Sequence, residues 1–440
     1  MSPTALPFEE TIARFIRRHQ LLDARNRYLV ALSGGADSVC LMLVLMRLGY
    51  QVEAVHCNFH LRGDESNRDE DFVKSLCESK GINLHLIHFD TKTYAETHQV
   101  SIEMAARELR YRYFEQLRVD IGAAGICVAH HQDDSVETIL MNLVRGTGIH
   151  GLTGIKPRNG HVLRPLLCVS RTDITAWLKQ GGHDYVTDSS NLQPDVVRNK
   201  VRLCLMPVLE QVAPSARASI LKTANRLQQA ALVYDTHVGN AIERLRQQDT
   251  IRIADLQNEP SPESILFEWL TPYGFTPTAI EQLSQSLATQ SGREWMSTTH
   301  QLTISKGLLV VERKQPPRPV LRIPEAGTYV YDDTTKIRLK VHDGALLEKA
   351  PHTACLDAAK IVFPLTLRST QLGDRFRPYG MKGTQLVSNY LTNRHLSIFE
   401  KRRTLVLCDA HDRILWLVGH RPAATFCLTD TTTQTLVVSV

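Results

Sequence analysis

Two short stretches concentrate the residue types that do chemistry. The first is Ser33-Gly34-Gly35-Ala36-Asp37-Ser38. It follows the apolar run Tyr28–Leu32, which reads as a buried strand, and precedes Val39–Met46, which reads as a buried helix. The first N–H groups of a helix have no partner within it, and the helix dipole places partial positive charge there. A strand, a glycine turn and a helix start therefore make an anion site. Two glycines let the backbone approach a phosphate without a Cβ in the way, and the Ser33 and Ser38 hydroxyls are available as further donors. Asp37 stands where a cation would be expected. A carboxylate beside phosphates makes sense with a divalent metal between them.

The second stretch is Ala129-His130-His131-Gln132-Asp133-Asp134-Ser135-Val136-Glu137-Thr138, at the end of one apolar run and the start of a helical pattern. His131, Asp134 and Glu137 are spaced by three, so Asp134 and Glu137 share a helix face. Asp133 has a simple alternative role as a helix cap. Capping accounts for one carboxylate, not for two histidines and three carboxylates together.

The first stretch lacks the Gly-Lys-Ser/Thr ending of a Walker A loop. Ser-Gly-Gly-x-Asp-Ser resembles the PP-loop of ATP pyrophosphatases. That resemblance implies cleavage of ATP between its α and β phosphates and transfer of AMP to an oxygen of the substrate.

The elements needed to hold these residues are legible along the first half. Strand-like runs at Val52–Cys57, Asn83–Phe89 and Gly125–Ala129 alternate with helical patterns at Glu65–Lys80, Ile102–Leu117 and Asp133–Val144. Alternation of this kind predicts a parallel sheet with helices on both faces, which binds ligands beyond the carboxyl ends of its strands. The expected fold class is α/β, of the PP-loop, adenine nucleotide hydrolase-like kind, followed by a mostly helical domain and a small α+β C-terminal domain. The expected boundaries are 1–215 for the catalytic domain, 216–315 for a helical linker and middle domain, and 320–440 for a β-rich domain. Arg217–Asn240 reads as a long helix, and the Pro-rich stretch Gln315–Pro319 as a linker.

Composition narrows the class. Hydrophobic residues at 43% and charged residues at 22% are those of a soluble globular chain. A net charge of +5 permits a polyanionic partner without requiring one. The nine cysteines are odd in number and include no Cys-x-x-Cys, which fits reduced thiols in a cytoplasmic protein and not a disulfide frame or zinc site. No apolar run approaches the ~20 residues needed to span a bilayer, so no membrane is expected. The basic residues concentrate locally: 368–403 carries a net +6, with Phe376, Tyr379 and Tyr390 interspersed, as expected of an RNA-binding surface.

Further motifs make a second, more specific resemblance. Besides the glycine turn, the chain has Arg62-Gly63-Asp64-Glu65-Ser66 with Arg68-Asp69-Glu70, then Glu103, Ala106-Arg107 and Arg110-Tyr111. It has the His130–Thr138 cluster, Arg145-Gly146-Thr147-Gly148, Asp188-Ser189-Ser190-Asn191, Arg198-Asn199 and Arg202. Gly373-Asp374-Arg375-Phe376-Arg377-Pro378 returns near the C-terminus. In this order they are similar to the bacterial tRNA(Ile)-lysidine synthetases. The resemblance covers 28–205 densely and little of 220–350.

That resemblance implies a two-step reaction. ATP adenylates C2–O of the wobble cytidine in an isoleucine tRNA with a CAU anticodon. The amine of L-lysine then attacks C2 and AMP leaves, so that the tRNA reads AUA instead of AUG. It implies Ser33, Gly34, Gly35, Ala36, Asp37 and Ser38 at the nucleotide, and Mg²⁺ on Asp37 and Asp134. Asp37, His131, Asp134 and Glu137 are the catalytic candidates, with the proton acceptor for the lysine amine left open among the last three. Arg107, Arg110, Arg145, Arg198, Arg202, Arg375 and Arg377 are the candidates for contacts with tRNA. Oligomeric state is left open, a homodimer being one option.

The rival readings are a PP-loop tRNA thiolase, which would need a cysteine pair or an iron–sulfur cluster, another adenylating synthetase acting on a small acid, and a tRNA-binding protein that holds ATP structurally. Asp37→Ala separates the last: catalysis predicts loss of AMP formation with tRNA binding kept within severalfold, which gel-shift and AMP-release assays read together.

Overall fold

The computed structural model describes residues 7–187, 197–287, 293–316, 318–333, 335–348, 350 and 352–440. The Asp188–Asn191 motif and Pro317 of the expected linker lie outside them. The chain divides into two compact units, Met1–Asp235 and Thr236–Val440.

The first unit is built on β1 (Arg27–Ala31), β2 (Gln51–Asn58), β3 (Leu84–His88), β4 (Gly125–Cys127) and a short hairpin, β5 (Arg158–Asn159) and β6 (Val162–Leu163). Their order across the sheet is β3-β2-β1-β4-β6-β5. All neighbours pair in parallel except β5 with β6. The order turns back between β1 and β4, so the segments after these two strands flank the crevice at the carboxyl edge.

Alternation along β1 sorts its side chains to two cores. Tyr28 and Val30 pack with α1 (Phe8–Arg18), α2 (Ala36–Arg47) and α7 (Arg171–Gln180), while Leu29 packs with Val55, Phe114, Leu117 and Ile126 on the side of α5 (Ile102–Asp120). Helices thus cover both faces. In α2, every residue from Val39 to Leu45 is buried, which is why this helix shows no polar stripe in the sequence. α3 (Asp64–Lys80), α4 (Thr91–His98), α6 (Gln132–Arg145), α8 (Val197–Lys200) and α9 (Met206–Val212) complete the unit, and α10 (Ala216–Leu245) contains the boundary with the next.

In the second unit, the described residues of 246–313 fold as three α-helices and a five-stranded antiparallel sheet. The sequence places helices at Pro260–Gln290 and strands at Gln301–Val311; the strands form at His300–Ser305 and Leu308–Arg313, and Glu294–Met296 and a small hairpin at 246–252 join them in the sheet. The C-terminal part holds two four-stranded antiparallel sheets around a core that includes Leu365, Leu407, Trp416 and Val438. Among the described residues no helix is long and apolar enough to cross a membrane.

Candidate active site

The glycine turn joins β1 to α2. Gly34 has φ +89°, a conformation that L side chains rarely adopt, and a Cβ there would lie 2.9 Å from Val186 Cγ2. Val186 is bound to the turn, its N–H donating to Gly34 O at 3.0 Å. The serine hydroxyls brace the turn from inside. Ser38 Oγ donates to Gly35 O at 2.9 Å and accepts from Ser33 N–H at 3.2 Å, and the two hydroxyls lie 3.1 Å apart. The hydroxyls hold the shape of the turn, and the start of α2 offers N–H donors beside them.

Asp37 and the second cluster meet across the crevice. His131, with a side chain 2% exposed, has Nε2 3.7 Å from Asp37 Oδ2 and 3.5 Å from Asp134 Oδ2, and its Nδ1 lies 3.3 Å from Asp133 Oδ2. Burial alone would lower the pKa of this imidazole. Contact with Asp133 and Asp37 and the charge of Asp134 outweigh it and push the pKa up to about 10. The three carboxylates thus favour the imidazolium form of His131. Asp37 Oδ1 is buried and accepts no hydrogen bond from the described residues, an oxygen that a cation would satisfy.

The helix cap also differs from expectation. Asp134, not Asp133, accepts from the backbone N–H of His131 at 3.0 Å and so caps α6. Asp133 accepts from the N–H of Arg171 at 2.8 Å and pairs with Arg217, at the start of α10. Burial would raise its pKa, but His131, the Arg171 N–H and Arg217 together hold it well below the usual carboxylate range.

Glu137 is buried and takes both oxygens to Arg202, at 2.6 Å from Nε and 3.2 Å from Nη2. Arg198 Nε lies 3.3 Å from the same carboxylate, and its Nη2 donates to Thr138 at 3.1 Å. Arg198 and Arg202 are therefore locked to α6 and do not form a surface pair. Arg202 also reaches Asp134, at 3.8 Å.

Other residues fall nearby or elsewhere. Arg107 and Arg110 lie on α5, their guanidiniums 5.0 Å over Tyr111 and 5.1 Å over Phe59. Arg145 is exposed at the end of α6, where Gly146 with φ +74° ends the helix. Arg375 and Arg377 are exposed in the second unit, on either side of buried Phe376. The net +6 counted there overstates the free charge. Arg368 is buried and bidentate to Asp374, at 2.9 and 3.0 Å; Arg402 pairs with Glu294 at 2.8 Å, and Arg403 pairs with Glu312.

Sequence reasoning missed two arginines of the site. Arg217 was read only as the start of a helix. Arg164 is buried and donates to His130 Nδ1 at 3.1 Å and to Lys156 O at 2.8 Å. Burial first, then the charges of Arg164 and Arg198, lower the His130 pKa to about 4 against the pull of Asp134, so this imidazole is neutral. Arg164 follows a two-residue strand, too short to leave a periodic signal. Among the described residues no group of three or more His, Cys, Asp or Glu is arranged to hold a metal by itself.

Comparison with known proteins places these features in a family. Residues 5–209 match the family model of the PP-loop domain, and residues 246–314 match that of the TilS substrate binding domain. A tRNA(Ile)-lysidine synthase of Bacteroides thetaiotaomicron is 44% identical over 98% of this chain and 99% of its own. One of Parabacteroides distasonis is 44% identical over 98% and 99%, and one of Porphyromonas gingivalis is 37% identical over 94% of each.

Proposed function

The chain belongs to the tRNA(Ile)-lysidine synthase family, ligases that form a carbon–nitrogen bond, and from that premise we propose that it joins L-lysine to C2 of the wobble cytidine in a CAU-anticodon isoleucine tRNA. ATP adenylates the C2 oxygen, pyrophosphate leaves, the lysine amine attacks C2, and AMP leaves. Decoding then changes from AUG to AUA, and the reaction is cytoplasmic. The observation that carries this reading is the meeting of the braced, N–H-lined turn with Asp37 and the His131–Asp134 pair in one crevice.

The turn's amides bind the β and γ phosphates and stabilise the charge that develops on the departing pyrophosphate. Asp37 and Asp134 would hold Mg²⁺, which offsets phosphate charge when bound; the orphaned Asp37 Oδ1 fits that role, and Mg²⁺ commonly takes only one or two protein carboxylates. One of Asp134, Glu137 and His131 accepts the proton of the lysine amine, whose reference pKa is ~10.4, or holds the lysine. Glu137 orients Arg202 and Arg198 toward the crevice. Arg107, Arg110, Arg145, Arg375 and Arg377 contact RNA phosphates or bases. We assign catalysis to 1–215, a linker and middle domain to 216–315, with substrate binding within it at 246–314, and tRNA binding to 320–440.

Against thiolation stands Cys127, buried to 0% exposure, whose thiol burial pushes far above its ordinary pKa. The test is incubation with labelled lysine, ATP and total bacterial tRNA, followed by nucleoside mass spectrometry. A lysine adduct on cytidine is expected. Its absence overturns the assignment.

A further inference from the structure

The first turn of α6 presents two faces. His131 and Asp134 belong to the cluster around Asp37, whereas Gln132 and Ser135 line a separate polar cavity of about 530 Å³. The end of α1, the segment 153–157, residues 167–168 and the first half of α10 close that cavity. Its volume is that of a small-molecule or single-nucleotide site.

Three kinds of group line it and one is missing. Arg18 is an exposed cation at its edge. Phe15 and His19, their ring centroids 4.4 Å apart and their planes tilted by 51°, give two aromatic ring faces. Gln132, Asn225 and Gln228 bring side-chain amides; Gln132 donates to Cys168 O at 2.9 Å, which fixes its rotamer and leaves its oxygen as an acceptor. Among the described residues that line it there is no carboxylate. A lysine ammonium or a metal ion has no anion to meet there. A nucleotide finds a cation for its phosphate, a ring for its base face and amides for its base edge.

We propose that this cavity holds a nucleotide of the substrate RNA adjacent to the one that is modified. The inference rests on the tRNA reading above and extends it to a second subsite. An α-helix with its side chains is ~10 Å thick, so the reacting base and a neighbour lie on opposite sides of one helical turn. Single-stranded loops splay unstacked bases apart in this way. Asn225 and Gln228 are on a partly exposed stretch of α10 and play no part in the Asp37 cluster.

The test uses the full chain and an anticodon-arm RNA hairpin with a CAU anticodon, intact or with an abasic nucleotide at each position flanking the wobble cytidine. Fluorescence anisotropy compares wild type with the Asn225→Ala/Gln228→Ala double variant, whose fold is checked by circular dichroism. For the intact hairpin the double variant is expected to raise Kd about tenfold. For a hairpin abasic at one flanking position the difference should shrink to under ~2-fold, because the base that the amides read is already gone. An unchanged Kd, or a loss that persists with every abasic hairpin, overturns the proposal. The lysine-adduct assay on wild type separates the two readings: an adduct without coupling sinks only the cavity, and no adduct sinks the lysidine assignment.

Discussion

Single side chains in the crevice are set by charge neighbours, and this has measurable consequences. His131 is neutral-preferring by burial yet protonated by Asp133, Asp37 and Asp134. Its folded pKa of about 10 lies above the unfolded value of ~6.5. The stability it contributes is therefore fully present below pH ~6.5 and lost as pH rises toward 10. In urea unfolding of the metal-free protein, the gap between wild type and His131→Gln should be widest near pH 6 and narrow steadily to pH 10; a flat gap contradicts the imidazolium. Arg202→Ala leaves Glu137, with a side chain only 2% exposed, without its bidentate partner. That should cost about 3 kcal/mol in the same assay, while Glu137→Gln/Arg202→Met recovers much of it. The sequence displayed these residue types and their spacing. It did not display which carboxylate caps α6, which one is spent on guanidiniums, or that His131 is charged, because those depend on Arg171, Arg202 and Arg217 arriving from far along the chain.

At the scale of elements, the strand–turn–helix unit carries the nucleotide reading. Gly34→Ala combines a strained φ, at roughly 1–2 kcal/mol, with a Cβ 2.9 Å from Val186. It should lower the melting temperature and raise the KM for ATP at least tenfold. Gly49→Ala is the control: φ is +82° but nothing lies within 4 Å, so stability falls while the KM for ATP holds. If both variants bind ATP as wild type does, the turn is not the nucleotide site. The strands and helices of the sheet were legible because each is long enough for its period to show. The β5–β6 hairpin, two residues per strand, and α7 were not, and with them went Arg164 and the Arg171 N–H. Of the five-stranded sheet at 246–313, the two six-residue strands were legible as the strand-like run Gln301–Val311, whereas those of two or three residues are too short for a period to show.

For the whole molecule, surface charge matters more than net charge. Composition located the basic excess in 368–403, but pairing is a tertiary property, so Arg368, Arg402 and Arg403 could not be told in advance from Arg375 and Arg377. Arg375→Ala/Arg377→Ala should weaken tRNA binding and reduce the slope of log K against log salt by about 2, with the KM for ATP unchanged. An unaltered slope would move the RNA surface elsewhere. Arg403→Ala, which unpairs Glu312, should instead register in stability.

The two serine hydroxyls that knit the turn at Ser33 and Ser38 carry one more implication. A cradle already set before its guest arrives asks little reordering of any polyphosphate that fits. Released diphosphate would then be held nearly as well as the incoming triphosphate, and turnover would slow as it accumulates. Such an enzyme depends on the cell to hydrolyse its by-product.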